Sequence, residues 1–282
     1  MITEILKFFI YSMLIVLISK YILVKLLRKL AETLNLSAKV VGNVAGIATS
    51  VPELLTVTFS AVAGLTSTSI YNIISSNVIN FVQYIFSIFL NKNQKQLQNR
   101  AIKIQLILVI TTIIIPILMI VMKIKFEINI VPIFILLFIL FYYINSNVHK
   151  LYLKRQDTKL YEEIEEEKKW VNGKLIIVVK YSLYLLFTTV ALYIIGERLS
   201  NVLENLAQIF NIPEIILGIT LGIITSLPEL ITFFESQKHY KNKEQQEGVV
   251  EATNNLLASN VLNLFIIQTI GIIILNLAYN VS

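Results

Sequence analysis

Eight stretches of mostly apolar residues, each about 20 residues or longer, follow one another along the 282-residue sequence, separated by short polar segments. A stretch of that length matches the hydrocarbon thickness of a bilayer when wound into an α-helix. Inside a bilayer the backbone must satisfy its own hydrogen bonds, so a long apolar run has to be helical. Charged residues make up only 15% of the chain, where a soluble domain carries about a quarter, and the mean hydropathy is +0.72. The pattern predicts an all-α integral membrane protein, a helical bundle with about eight transmembrane helices at 5–27, 37–63, 69–90, 101–123, 128–148, 174–196, 211–235 and 250–276. The first run follows Met1-Ile2-Thr3-Glu4 without a basic n-region or a small-residue cleavage site, and it is too long for a signal core. It reads as a retained transmembrane helix.

The charges that remain are sorted by loop. Lys25, Arg28, Lys29 and Lys39 follow the first span, and Lys92, Lys95, Arg100 and Lys103 follow the third. Lys150, Lys154, Arg155, Lys159, Lys168, Lys169 and Lys174 follow the fifth, and Lys238, Lys241 and Lys243 the seventh. The alternate loops hold only Lys123 and Lys125 or Arg198. The positive-inside rule then puts the odd loops in the cytoplasm and both termini outside, in a multi-pass protein of the cell (plasma or inner) membrane. The net charge of +6 is explained by these loops, and no nucleic-acid partner is expected. Residues 149–173 form a cytoplasmic linker in which Glu162, Glu163, Glu165, Glu166 and Glu167 precede Lys168 and Lys169 at helical pairing distance, with Trp170 at the interface. Lys20 and Lys180, at cytoplasmic ends of spans, snorkel to the surface. The absence of cysteine excludes disulfides, thiolate metal sites and cysteine nucleophiles. His149 and His239 fall in loops and pair with no nucleophile, so enzymatic activity is not expected.

Within this frame the sequence repeats itself. Gly42-Asn43-Val44-Ala45-Gly46-Ile47-Ala48-Thr49-Ser50-Val51-Pro52-Glu53-Leu54 and Gly218-Ile219-Thr220-Leu221-Gly222-Ile223-Ile224-Thr225-Ser226-Leu227-Pro228-Glu229-Leu230 share the pattern G-x-x-x-G-x-x-T-S-x-P-E-L. Asn72-Ile73-Ile74-Ser75-Ser76-Asn77-Val78-Ile79-Asn80 recurs as Asn255-Leu256-Leu257-Ala258-Ser259-Asn260-Val261-Leu262-Asn263. An odd number of spans separates the copies, so they cross the membrane in opposite directions. Inverted repeats of this kind place an ion site near the midplane, at the repeat interface. The expected organisation is a first repeat at 1–148, the linker at 149–173 and a second, shorter repeat of three spans at 174–282.

A glutamate inside an apolar span is costly by several kcal/mol, which makes Glu53 and Glu229 candidate ion ligands. Pro52 and Pro228 lack an N–H and crowd the carbonyls of Ala48 and Ile224, so each helix must kink or unwind beside Thr49, Ser50, Thr225 and Ser226. Carboxylates, hydroxyls and freed carbonyls make a hard oxygen site suited to Ca²⁺ or Na⁺; zinc and copper would want absent nitrogen and sulfur ligands. Asn72, Ser76 and Asn80 share one helix face, as do Asn255, Ser259 and Asn263. Such stripes serve either as interhelical glue or as ion ligands, and their pairing with two glutamate-bearing kinks favours ligands. Gly42, Gly46, Gly218 and Gly222 read as packing surfaces.

These motifs resemble the α-repeats of the sodium/calcium exchangers, within the cation/Ca²⁺ antiporter superfamily. The resemblance implies a fold of ten helices in two inverted halves of five, of which the last two are missing here. It implies Ca²⁺/Na⁺ exchange by alternating access, with no bound cofactor and with the ions as cargo. Glu53 and Glu229 would be the central Ca²⁺ carboxylates and the carbonyls of Thr49 and Thr225 further Ca²⁺ ligands. Ser50, Ser76, Asn80, Ser226, Ser259 and Asn263 would line the Na⁺ sites. The chain departs from the family where Tyr71, Ser75, Asn254 and Ala258 replace glycines, which predicts looser or rearranged helix packing. It departs again at Asn80 and Asn263, where some members carry Asp, leaving two buried carboxylates and making Ca²⁺/H⁺ exchange a rival. The expected partners are the bilayer, small cations, and a second copy or partner subunit over the missing helices. A non-transporting, cation-binding membrane subunit is the reading from another class.

Overall fold

The computed structural model describes residues 2–34, 38–153, 175–239 and 245–281. Residues 154–174, which hold most of the expected linker with Glu162, Glu163, Glu165, Glu166, Glu167 and Trp170, lie outside the described residues. The described chain is helical: α1 (Ile2–Ile18), continued through a π-helical turn Ser19–Val24 into α2 (Lys25–Thr33), α3 (Ala38–Thr49), α4 (Val51–Val62), α5 (Thr66–Leu90), α6 (Arg100–Val121) and α7 (Val131–Leu153). It resumes with α8 (Leu175–Glu204), α9 (Glu214–Thr225), α10 (Leu227–His239), α11 (Gln245–Leu262) and α12 (Gln268–Val281). Among the described residues eight helical spans are long and apolar enough to cross a membrane, one for each predicted run.

The sixth span is longer than predicted. Gly196-Glu197-Arg198 suggests an end there, yet α8 continues to Glu204. Glu197 and Arg198 point outward while Leu199, Val202 and Leu203 are buried in a cluster with Phe8 and Ile15 of α1. Gly196 has no side chain to obstruct the Phe59 ring of α4. One buried stripe is enough to carry a helix past two exposed charges.

The second and seventh spans are each broken, as the prolines require, but by a single residue. Ser50 (φ −81°, ψ 0°) separates α3 from α4, and Ser226 (φ −80°, ψ 0°) separates α9 from α10. Both serine N–H groups still donate to the glycine four residues earlier, Gly46 and Gly222, at 3.2 Å. The result is a bend rather than an unwound segment.

The most extensive helix pairings are α5 with α9 and α3 with α11, and each joins an early span to a late one. Their closeness comes from the four repeat glycines. A methyl group on Gly46 would lie 2.6 Å from the Asn255 carbonyl oxygen, and one on Gly222 equally close to the Asn72 carbonyl oxygen. Gly42 and Gly218 meet the carbonyls of Glu251 and Thr68 in the same way. Of the looser or rearranged packing expected from Tyr71, Ser75, Asn254 and Ala258, the looser form is not found. Close approach needs only one bare surface, and the glycines of α3 and α9 supply it.

Two apolar clusters flank these central pairs. One joins α5, α6, α7 and α11 through Tyr84, Val109, Phe134, Phe141, Leu257 and Phe265. The other joins α1 and α8 to α3 and α9 through Ile15, Ala48, Leu192, Leu199 and Leu221. Helices α7 and α8 turn most of their surface outward as Ile, Leu, Phe and Tyr, a face suited to lipid. Between the clusters the centre of the bundle is polar.

Candidate cation site

All ten predicted site residues are at most 1% exposed. The helix break at Ser50 starts α4 with Val51-Pro52-Glu53, so Glu53 sits in its first turn and points across to α5. There the Ser76 hydroxyl donates to Glu53 Oε1 at 2.7 Å. Ser76 Oγ lies 2.9 Å from Ser226 Oγ, at the break between α9 and α10. The second copy repeats this arrangement: Ser259 of α11 donates to Glu229 Oε1 at 3.1 Å, and Ser50 donates to Ser259 Oγ at 3.0 Å. Each carboxylate is thus bonded to the serine stripe of its own half, and that serine touches the break of the other half.

The asparagines close the ring. Asn80 Nδ2 donates to Ser259 Oγ at 3.3 Å and to Asn260 Oδ1 at 3.2 Å. Asn263 Nδ2 donates to Ser76 Oγ at 3.5 Å and to Asn77 Oδ1 at 3.2 Å. Asn77 and Asn260 then donate to each other's backbone carbonyl, at 3.2 and 3.1 Å. Sequence reasoning quoted Asn77 and Asn260 within the repeat but gave them no role; their recurrence beside Ser76 and Ser259 was the signal. The stripe positions are also less uniform than expected. Asn72 donates to Thr56 of α4, and Asn255 accepts weakly from the Thr49 hydroxyl at 3.5 Å. The Thr225 hydroxyl faces Glu53 and that of Thr49 faces Glu229, neither within strict hydrogen-bond geometry.

The two copies differ in one respect. Asn80 lies within the regular helix α5, whereas Asn263 opens a π-helical turn, Asn263–Ile267, between α11 and α12. Inserted π turns re-aim side chains and occur often at functional positions.

Several oxygens at this centre have no donor. Glu53 Oε2, Glu229 Oε2, Asn80 Oδ1 and Asn263 Oδ1 are buried acceptors without a hydrogen-bond partner, in two repeat-related pairs, and Thr225 Oγ1 joins them. An acceptor stripped of water and given no donor costs several kcal/mol at such depth. A hard cation satisfies oxygens of this kind, and two carboxylates with neutral amide and hydroxyl oxygens form a donor set of that class. Among the described residues no three His, Cys, Asp or Glu side chains come together, so the centre holds only this pair of acids.

A third acid is nevertheless buried. The expectation of two buried carboxylates is corrected by Glu251 of α11, 1% exposed, whose Oε1 accepts from Ser236 at 2.6 Å. It stands two turns before Ser259, away from the ring, and its position beside the polar 236–249 segment hid it in the sequence. Glu214 also escaped notice. It crosses to the start of α5 and accepts from the N–H groups of Ser67 at 2.8 Å and Thr68 at 3.4 Å, capping a helix whose own Leu65 supplies no cap.

The family model for sodium/calcium exchanger protein matches residues 5–147 and 180–281, most of the chain and both copies of the repeat. No curated protein and no solved structure matches.

Proposed function

Because the chain belongs to the sodium/calcium exchanger family, a family of multi-pass cation antiporters, we propose that it exchanges Ca²⁺ for Na⁺ at the ring around Glu53 and Glu229. The observation that supports this most is the set of repeat-related oxygens without donors. Glu53 and Glu229 bring two negative charges, which one Ca²⁺ balances. Thr49, Thr225, Ser50, Ser226, Ser76, Asn80, Ser259 and Asn263 supply neutral oxygens around them. Two Na⁺ balance the same charge, so the ions compete.

The same ring suggests how occupancy moves the protein. Ser76 and Ser259 each touch a carboxylate of their own half and a serine of the other. An ion that draws Glu53 or Glu229 inward therefore acts on contacts between the halves 1–148 and 174–282. Alternating access then follows as a rocking of one inverted half on the other, around a fixed site. Two carboxylates balance two protons as well as one Ca²⁺, and this equality supports Ca²⁺/H⁺ exchange as the second reading.

Ca²⁺ uptake into proteoliposomes separates the two. Uptake driven by an outward Na⁺ gradient at constant pH is the expected result. Uptake driven only by an outward H⁺ gradient would replace Na⁺ by H⁺. Tight Ca²⁺ binding without flux under either gradient would sink both exchange readings and leave a cation-binding subunit.

The loop charges support termini outside the cell and cytoplasmic odd loops. The absence of native cysteine makes this simple to test. A cysteine at Lys125, an exposed residue, is expected to react with an impermeant maleimide added to intact cells. One at Lys92, also exposed, is expected to react only after the membrane is opened. The reverse pattern would invert the topology.

A further inference from the structure

The two ends of the bundle treat buried polar groups differently. Near the 91–99 segment every member of one buried network is partnered. Gln237 donates to Ser87 at 2.8 Å and accepts from Asn93 at 2.9 Å. The hydroxyls of Tyr84 and Thr253 lie 2.8 Å apart. Toward the other end, on the side of the 63–65 turn, Gln268 of α12 is 1% exposed and neither of its amide atoms has a partner. Ser69 of α5, fully buried, has none for its hydroxyl.

Gln268 and Ser69 both lie close to Gly271 of α12. A methyl group on Gly271 would lie 3.0 Å from Ser69 Oγ, 4.0 Å from Gln268 Nε2 and 2.8 Å from Val57 Cγ1. Val57 is one turn beyond Glu53 on α4. Ser69 is two turns, about 10 Å, before Ser76 on α5. Between them on the same helix is Asn72, fully buried, whose Oδ1 also lacks a donor. A line of unsatisfied polar oxygens therefore leads from this end of the bundle to the Glu53 carboxylate.

A primary amide with both polar atoms unsatisfied is a poor packing element, since a leucine of similar size would fill the space without the desolvation penalty. These oxygens are all neutral. Neutral ligands repay the partial dehydration of a monovalent cation better than that of a divalent one, which calls for carboxylates. We infer that Gln268 Oε1, Ser69 Oγ and Asn72 Oδ1 form a separate, uncharged Na⁺ station on the pathway between the 63–65 end and the Glu53 site. Gln268 Nε2 donates to water that the ion retains. The station rests on the proposed use of Na⁺, and it makes Gln268 a determinant of Na⁺ affinity that leaves Ca²⁺ affinity alone.

The test uses the full-length protein in proteoliposomes, with Gln268→Leu, Ser69→Ala and Gln268→Glu beside wild type. In Gln268→Leu the half-saturating Na⁺ concentration is expected to rise about tenfold, equivalent to ~1.4 kcal/mol. The half-saturating Ca²⁺ concentration without Na⁺ is expected to stay the same. Ser69→Ala shifts the Na⁺ dependence in the same direction by less, and Gln268→Glu, which keeps an oxygen in place and adds a negative charge, does not raise the half-saturating Na⁺ concentration. Because leucine removes an unsatisfied amide, Tm measured without ions is expected to hold or rise. An unshifted Na⁺ dependence in Gln268→Leu, an equal shift for Ca²⁺, or a lower Tm with normal Na⁺ dependence would overturn the station while leaving Na⁺/Ca²⁺ exchange standing. Absence of any Na⁺ effect in wild type would remove the Na⁺ reading itself, and the station with it.

Discussion

Glu53→Gln and Glu229→Gln are each expected to abolish Ca²⁺ transport while leaving a folded, extractable protein. Glutamine keeps the shape of the side chain and an oxygen for Ser76 or Ser259 to donate to, so the ring stays assembled. What is lost is one of two negative charges facing a divalent ion. At ~4 Å, and with an effective dielectric of about 20, each unit charge pair is worth about 4 kcal/mol. A divalent ion counts this twice, so the loss in affinity is more than roughly a thousandfold, enough to move the site out of its working range. The check is Ca²⁺ uptake together with the Ca²⁺-induced rise in Tm. Both should vanish in either variant. Without Ca²⁺ each variant should be at least as stable as wild type, because two buried carboxylates no longer face each other. Full transport by either variant would remove these glutamates from the site, and with them the proposed mechanism.

The second large effect is expected from a methyl group. Gly222→Ala would put Cβ 2.6 Å from the Asn72 carbonyl oxygen and 2.8 Å from the Ser76 backbone nitrogen. Both are backbone atoms of α5, so no rotamer change relieves the clash and the helix itself must retreat. Overpacking of this kind costs about 1–3 kcal/mol. The retreat also carries Ser76 away from Ser226 and disturbs its bond to Glu53, so loss of transport should accompany the loss of stability. Gly46→Ala is the repeat-related test, against the Asn255 carbonyl oxygen and the Ala258 side chain on α11. Wild-type Tm and uptake in both variants would mean that α5–α9 and α3–α11 are not held at this separation.

The glycine result also shows how far local chemistry could be read. Glycine spacing on α3 and α9 identified packing surfaces, and the structure bears that out. The substitution of Tyr71, Ser75, Asn254 and Ala258 for glycine on the facing helices predicted a looser or rearranged fit, and the fit found is a close one made on the glycines of α3 and α9. Which side of a contact supplies the bare surface depends on the pair of helices, and one sequence segment does not state its partner. Glu251 was missed for a similar reason. Its place among Gln245, Gln246 and Glu247 reads as solvent-facing, and only the packing of α11 on α3 and α10 encloses it.

Hydrophobic run length determined the eight spans, because a bilayer leaves the backbone no choice but a helix. Pro52 and Pro228 marked the two breaks, because a missing N–H weakens a helix there, although α6 carries Pro116 without a break. The repeat determined which residue types would recur at the centre. Tertiary structure decided the pairing: Glu53 with Ser76 but Ser76 with Ser226, Glu229 with Ser259 but Ser259 with Ser50. It also decided that Asn77 and Asn260 lock across the halves, and that Gln268 and Ser69 stay without partners. The physical reason is that helix chemistry is local, fixed by neighbours three and four residues away. Partner choice instead depends on how the two repeat copies dock, and that docking brings together residues more than 140 positions apart.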